Sequence, residues 1–288
     1  MGKKVVGVIG GSGLYEIEGL TGVKAVKVTT PFGEPSDEYM TGTLGGTEMV
    51  FLPRHGRGHR LLPSEVNYRA NVYGMKKLGA EWIISVSAVG SMREEIAPGH
   101  MVVVDQFFDR TKGRPSTFYG SGIVGHIEFA DPVCPELSAV LHGASKKAGA
   151  TVHMGGTYIC IEGPQFSTRA ESRIYRSWGV DVIGMTNVPE AKLAREAEIC
   201  YATLALSTDY DCWHETEESV TVDMILATLK SNVAMAREII KNAVPAISKT
   251  RGCRCPEAMK FATLTDRSAV PEKTRQDLDL LIGKYLKG

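Results

Sequence analysis

Lys4-Val5-Val6-Gly7-Val8-Ile9-Gly10-Gly11-Ser12-Gly13 opens the chain with a short β-branched run that stops in a glycine loop. A short, wholly apolar run bounded by glycines reads as a buried strand, Val5 to Ile9. Glycines at its end let the backbone approach an anion closely, with successive amides aimed at its oxygens. The loop is not the dinucleotide fingerprint, because reading G-x-G-x-x-G from Gly11 puts Glu16 where the third glycine belongs. Nor is it a Walker loop, since no Gly-Lys-Ser/Thr follows. A tight strand-to-loop turn accounts for the same residues.

Outward from this strand, short β-branched runs alternate with helical patterns. The expected strands are Lys4–Ile9, Glu48–Leu52, Trp82–Val86, Met101–Asp105, Gly156–Ile161, Val180–Ile183 and Tyr201–Leu206. The expected helices are Ser64–Leu78, Pro135–Ala148, Arg169–Trp178, Pro189–Glu198 and Val222–Ala243, with a final one near Thr274–Leu286. Such alternation predicts an α/β fold around a central sheet. Repeats, low-complexity blocks and linkers are not evident. Arg110 to Gly125 reads as a long surface loop, and one domain over 1–288 is the economical organisation, with a tail from 250.

Lys+Arg and Asp+Glu both number 33, so there is no basic excess to track a nucleic acid. A few convergent donors are still enough for a small anion. No stretch approaches the roughly 18 apolar residues of a membrane helix. The N-terminal apolar run is too short for an export signal and ends in no cleavage site, which predicts a cytoplasmic protein. Six cysteines stand at 134, 160, 200, 212, 253 and 255, none in a CxxC pair. Cys134, Cys160, Cys200 and Cys212 read as buried or idle thiols, while Cys253-Arg254-Cys255 suits a redox or structural disulfide.

Four further motifs bear on chemistry. Pro53-Arg54-His55-Gly56-Arg57-Gly58-His59 is a cationic cluster at a strand end. An arginine fork matches phosphate oxygens and a histidine adds a donor, although a solvated basic loop would look the same. Ser85-Val86-Ser87-Ala88-Val89-Gly90-Ser91 ends a buried strand in small hydroxyl residues. Ligands gather beyond the carboxyl ends of strands in open α/β sheets. Gly184-Met185-Thr186-Asn187-Val188-Pro189-Glu190 turns from strand to helix, where free amides suit an anion or a sugar hydroxyl. Met185 is positioned to cover a ribose face or simply to fill core.

The last motif is Ser207-Thr208-Asp209-Tyr210-Asp211-Cys212-Trp213. Carboxylates at i and i+2 share a side if the chain is extended, and each raises the other's pKa. One protonated carboxyl would donate to N7 of a 6-aminopurine while the other accepts from its amino group. A capping pair or a metal pair is the alternative. His214 is then the only further ligand nearby, and a hard cation needs more oxygens, so no metal is expected.

Together GGSGL, RHGRGH, SAVGS, IEGPQFSTRAES, GMTNVPEA and STDYDCW resemble the 5′-methylthioadenosine phosphorylases, in order from about Val5 to Ala243. The resemblance implies a single-domain purine nucleoside phosphorylase-like fold, with a distorted central mixed sheet flanked by helices, in homotrimers or homohexamers. It implies phosphate held by Ser12, Arg54, His55, Ser87, Ala88 and Thr186, and Met185 against the ribose. Asp209 and Asp211 would bind adenine, with Phe166 and Ser167 shaping the base pocket. Val222, Ile225 and Leu226 would line a methylthio pocket, and His126 would reach in from a neighbouring subunit. Ser12 and Ser87 replace threonines common in the family and keep the hydroxyl. Asn187 stands where some members have threonine and hints at altered base contacts.

The expected activity is phosphorolysis of 5′-methylthioadenosine to adenine and 5-methylthioribose 1-phosphate, a purine and methionine salvage step. Nucleoside and phosphate are its partners and no cofactor is needed. Asp209 is the favoured acid. The alternative within the fold is a 6-oxopurine nucleoside or methylthioinosine phosphorylase, whose sites usually carry asparagine in place of Asp209. A dinucleotide-binding or redox module rests only on the glycine loop and the Cys-x-Cys.

Overall fold

In the computed structural model the described residues are 4–11, 13–214 and 222–286, the side chains of 222–227 excepted. The strands are β1 Val5–Gly10, β2 Leu20–Val26, β3 Tyr39–Leu44, β4 Thr47–Pro53, β5 Trp82–Ser91, β6 Met101–Val103, β7 Gln106–Arg110, β8 Val152–Met154, β9 Thr157–Ile161, β10 Val182–Gly184 and β11 Cys200–Asp209. The helices are α1 Tyr68–Lys77, α2 Pro135–Lys147, α3 Arg169–Ser177, α4 Asn187–Glu196, α5 Val222–Ala246 and α6 Glu272–Leu286.

Side-chain alternation decides which helices cover which face. Val5 and Ile9 of β1 join the cluster built with Val72 and Met75 of α1, Leu193 of α4 and Leu281 of α6. Val6 and Val8 point the other way, to Leu137 and Leu141 of α2 and Ile239 and Ile240 of α5. The same parity holds in β5, where Ile83 faces the first cluster and Trp82 and Ile84 the second. A strand covered on both faces must be apolar throughout, which explains the unbroken run at the N-terminus.

All strands belong to one mixed sheet in the order β2-β3-β4-β1-β5-β10-β9-β7, with β11 joining β5 to β6 and β6 pairing β8. The sheet forks at β5. One edge of β5 pairs with β11 along its length, from Cys200 opposite Trp82 to Asp209 opposite Gly90. The other edge changes partner: the parallel ladder with β1 ends at Ile9 opposite Ser85, and the antiparallel ladder with β10 begins at Ile183 opposite Gly90. Between them Val86 to Val89 face a gap in the sheet. This switch point is where α/β sheets collect ligands.

Several expectations shift here. The Trp82 strand continues to Ser91, so Ser87 and Ala88 lie within it rather than beyond its end. Helix α1 starts at Tyr68 because Asn67 caps it, its side chain accepting from the Ala70 amide. Helix α4 begins two residues earlier than the Pro189 signal suggested, with Thr186 as its N-cap residue. Strands β2, β3, β7 and β8 were not anticipated; β2 is mostly exposed and offers no apolar pattern. The tail folds back, and α6 buries Leu278, Leu281 and Ile282 in the first cluster.

Candidate active site

Arg54 follows the end of β4 and its amide donates to the carbonyl of Gly10 at 2.9 Å, tying the ends of β4 and β1 together. Its side chain is buried and turns toward the gap. Nη1 donates to the Val86 carbonyl at 2.9 Å, the first β5 group without a β1 partner. Nε and Nη2 both donate to Glu190 of α4, Nη2 at 3.0 Å, and Nη2 also donates to Ser85 Oγ at 2.7 Å. The fork expected to meet phosphate is therefore engaged by a carboxylate of the same chain. Such pairing is what permits a buried guanidinium, whose desolvation would otherwise be prohibitive.

The network around this pair is fully polar and fully enclosed. Asn187 donates to Ser85 Oγ, Tyr201 OH and Thr203 Oγ1 at 3.2, 3.0 and 2.6 Å. Ser85 and Tyr201 hydroxyls donate to Glu190 at 2.9 and 3.1 Å. Asn187, where the sequence hinted at altered base contacts, is placed in this network. Its amide belongs to the arginine network because α4 starts at Asn187 and turns that side chain inward.

His55 departs from the expected cationic donor. Its Nδ1 lies 2.8 Å from the Leu61 carbonyl, which can only accept, so that nitrogen carries the proton. Burial, followed by the charge of Arg54, holds the imidazole down at about 4, so the ring is neutral at pH 7 and Nε2 is an acceptor. His59 stacks on it with ring centres 4.4 Å apart. Arg57 turns outward to Asp37 and Glu38. The motif thus has one inward cation, itself paired.

Ser87 and Thr186 are both buried at the gap. Ser87 Oγ lies 3.2 Å from Tyr158 OH, which occupies the space a side chain on Gly184 would need. Ala88, between Ser87 and Val89, is exposed there. Met185 packs over Gly163, where a Cβ would sit 2.5 Å from its sulfur, and its carbonyl accepts from Arg114 Nη1 at 2.5 Å. Gly163 has φ +67 and precedes a cis Pro164.

The carboxylate pair stands across β5 from this network. Strand β11 ends at Asp209, and the chain then turns instead of staying extended: Asp211 has φ +54 and opens a single 3-10 turn. The expected i, i+2 alignment is replaced by an Asx-type turn in which Asp209 Oδ1 accepts the Asp211 amide at 2.8 Å. Both residues close over Gly90; a Cβ there would lie 3.0 Å from Asp209 Oδ1 and 3.4 Å from Asp211 Cβ. Asp209 is half-buried and also accepts from the Thr208 hydroxyl at 2.7 Å. Asp211 is buried and accepts from Ser172 Oγ of α3 at 2.5 Å. Burial pushes the Asp211 carboxyl up to about 6.

Ser167 lies beside this pair, its carbonyl accepting from Cys212 at 3.3 Å. Its hydroxyl is buried with no hydrogen-bond partner among the described residues. Phe166 is 62 % exposed. Ser12 lies outside the described residues; Val222, Ile225 and Leu226 fall in the first turns of α5, and their side chains lie outside the description. His126 is placed elsewhere. It is exposed, its amide donates to the Ala262 carbonyl at 2.8 Å, and it lines a separate surface groove of about 480 Å³ with Tyr119, Ile123 and Lys192.

Sequence reasoning passed over Glu190, Ser172, Tyr158 and Arg114. Glu190 and Ser172 were inside quoted motifs, and an acid in the first turn of α4, next to the strand end, was the available signal for Glu190. Arg114 sits in the loop read as surface, yet its side chain is 3 % exposed and braces Met185, Glu162 and Tyr68. Thiols of Cys134, Cys200, Cys253 and Cys255 form the one set of possible metal ligands found among the described residues, away from both groups above.

A break in the sheet beside a buried arginine, with a carboxyl pair across β5, is the arrangement that comparison with known proteins assigns to a class. A family model described as the phosphorylase superfamily matches residues 5–245, and the chain belongs to that superfamily. Within it the chain belongs with the S-methyl-5′-thioadenosine phosphorylases. One such protein from Geobacter sulfurreducens is 66% identical over 99% of this chain and 100% of its own. A methylthioadenosine phosphorylase sourced from an antarctic soil metagenomic library superposes with TM-score 0.93 at 49% identity, covering 98% of this chain and 99% of its own. The Schistosoma mansoni methylthioadenosine phosphorylase in complex with adenine gives TM-score 0.83 at 42% identity, covering 89% and 96%.

Proposed function

We propose that this chain cleaves 5′-methylthioadenosine with inorganic phosphate, releasing adenine and 5-methylthioribose 1-phosphate, and so serves purine and methionine salvage. The observation that carries the reading is the sheet gap at Val86–Val89, with Arg54, Ser87 and Thr186 on one side and Asp209 with Asp211 on the other. Phosphate would lie in the gap against Ser12, Ser87, the Ala88 backbone, Thr186 and the Arg54 edge. His55 Nε2, lacking a proton, accepts from the phosphate's own hydroxyl.

The C1′–N9 bond of the nucleoside stretches first, leaving positive charge on the sugar and negative charge on the purine. The fixed phosphate stabilises the cation and then forms the C1′–O bond. Asp209 and Asp211 share one proton, which passes to N7 as the base leaves, while the second carboxyl accepts from the 6-amino group. Asp209, half-exposed at the strand end, meets N7. Asp211, buried and braced by Ser172, sets the proton affinity of the pair. Proton transfer of this kind contributes roughly 100- to 10,000-fold. Ser167 Oγ supplies a further hydrogen bond to the base, consistent with its unpaired hydroxyl. Met185 covers the ribose and Phe166 shapes the base pocket, while the family resemblance gives the methylthio group to Val222, Ile225 and Leu226, whose side chains lie outside the description.

The site is completed by a neighbouring copy in a homo-oligomer. His126 is remote from its own carboxylates and neighbours Val124, 53 % exposed, and Leu264, 67 % exposed, both held by a backbone hydrogen bond of 2.9 Å. Those apolar side chains suit burial against another subunit. The deciding assay follows adenine release from methylthioadenosine with and without phosphate, beside methylthioinosine. Phosphate-dependent release with strong preference for the adenine nucleoside is expected. Release without phosphate, or preference for the inosine compound, overturns the reading.

A further inference from the structure

Cys134, Cys200, Cys253 and Cys255 come from three separate parts of the chain. Cys134 is the residue before α2, Cys200 begins β11, and the other two stand in the tail, where Cys255 opens a short 3-10 turn. Their four sulfurs lie within 4.8 Å of one another, with Cys200 and Cys253 at 3.4 Å. Cys134, Cys200 and Cys255 are buried and Cys253 is half-buried. Reading Cys134 and Cys200 as idle thiols missed this convergence, because the partners are more than fifty residues apart in sequence.

We propose that these four cysteines form a closed tetrathiolate site for one structural zinc ion, fastening the C-terminal tail to the core. Zinc–sulfur bonds of about 2.3 Å in a tetrahedron place sulfurs about 3.8 Å apart, the spacing class observed here. Four ligands fill the coordination shell, so no position is left for water or substrate and the role is structural. Binding releases the four thiol protons and leaves the cluster with two net negative charges. Two features offset them. The N-terminus of α2 begins at Pro135, directly after Cys134, and Arg195 contributes positive charge near Cys255.

The tail arrives at this position through contacts that do not involve sulfur. Arg251 Nη1 donates to the Glu198 carbonyl at 2.9 Å and Nη2 to Glu81 at 3.1 Å, and the Gly252 amide donates to Glu136 at 3.3 Å. Beyond Cys255, the Met259 amide donates to Glu198 at 3.2 Å, and Ala262 accepts from the amide of His126 at 2.8 Å. Both Cys253 and Cys255 are thus preplaced, and the metal locks a segment that leads on to His126. Two disulfides among the same sulfurs are the competing chemistry.

The test uses the full chain purified under reducing conditions without chelator. Metal content by plasma mass spectrometry should give one zinc per chain. Cys253→Ser, the least buried member, should lose at least nine-tenths of it, whereas Cys160→Ala keeps its zinc. Cobalt exchanged into the intact wild-type chain should show the intense visible bands of tetrahedral thiolate coordination, a readout that survives if the serine variant fails to fold. Stripping zinc should lower the melting temperature, and zinc should restore it. Protein that takes up neither zinc nor cobalt with its thiols reduced overturns the site. So does an intact mass lighter by the two hydrogens of each disulfide with no metal bound.

Discussion

The two ends of the candidate active site solve the problem of buried charge in opposite ways. At the phosphate end Arg54 is matched by Glu190, and Ser85, Asn187, Tyr201 and Thr203 complete the pattern of hydrogen bonds. At the base end two carboxylates close over the same glycine, and burial drives one of them toward neutrality. The first arrangement is a satisfied network that holds its geometry with no ligand, as buried polar groups must. In the second, burial outweighs the hydrogen bonds that Asp211 accepts. Folding therefore bears a cost at the base end, where the buried Asp211 carboxyl is disfavoured in its ionised form. On the proposed reading an anion at the first end would be held by shape and dipoles, since His55 is neutral and the arginine is already paired.

Substitutions that remove a negative charge should accordingly have opposite consequences at the two ends. The largest effect is expected on turnover: Asp209→Asn should lower kcat for methylthioadenosine by about 100- to 10,000-fold with the fold intact. Steady-state kinetics beside a circular dichroism melt checks it, and an unchanged kcat removes Asp209 from the acid role. Next, Glu190→Gln should destabilise the protein by about 3–5 kcal/mol, because Arg54 is left buried and uncompensated. Denaturant unfolding measures this, and a variant as stable as the wild type would show that the arginine has another counter-charge.

The smallest of the three is a gain. Asp211 has an ordinary value of 3.8 and is lifted to about 6, so its ionised form is disfavoured in the folded protein. The sign follows: the burden is absent below pH 4, grows as pH rises through that interval, and is complete above about 6. Asp211→Asn should therefore leave stability at pH 4 unchanged and raise it above pH 6 by up to about 3 kcal/mol, while activity falls. Unfolding curves at the two pH values decide the matter. Equal melting temperatures at high pH would place the proton on Asp209 instead.

Much of this was legible in the chain before folding. The strand Val5–Gly10, the long β5 and β11, and helices α2, α3 and α5 follow from apolar runs, proline and capping residues acting over a few positions. Motifs rich in glycine, hydroxyl groups and paired acids marked the places where strands end at the site, and their resemblance to a family supplied substrate roles that spacing alone left open. Exposed β2 was not legible because it carries no apolar alternation, and short β8 because its pairing is satisfied by β6 on the far side of α2. Three-residue strands carry almost no periodicity to read.

Sequence by itself determined the central strands and most helices, and which residue types stand near the strand ends, since those depend on local propensity and period. Only the tertiary structure decided what each charged group faces. Glu190 lies 136 residues from Arg54, Ser172 lies 39 from Asp211, and four cysteines converge from three regions. Electrostatic and hydrogen-bond energies depend on distance and burial, and those are set by how the sheet forks at β5 and not by order along the chain.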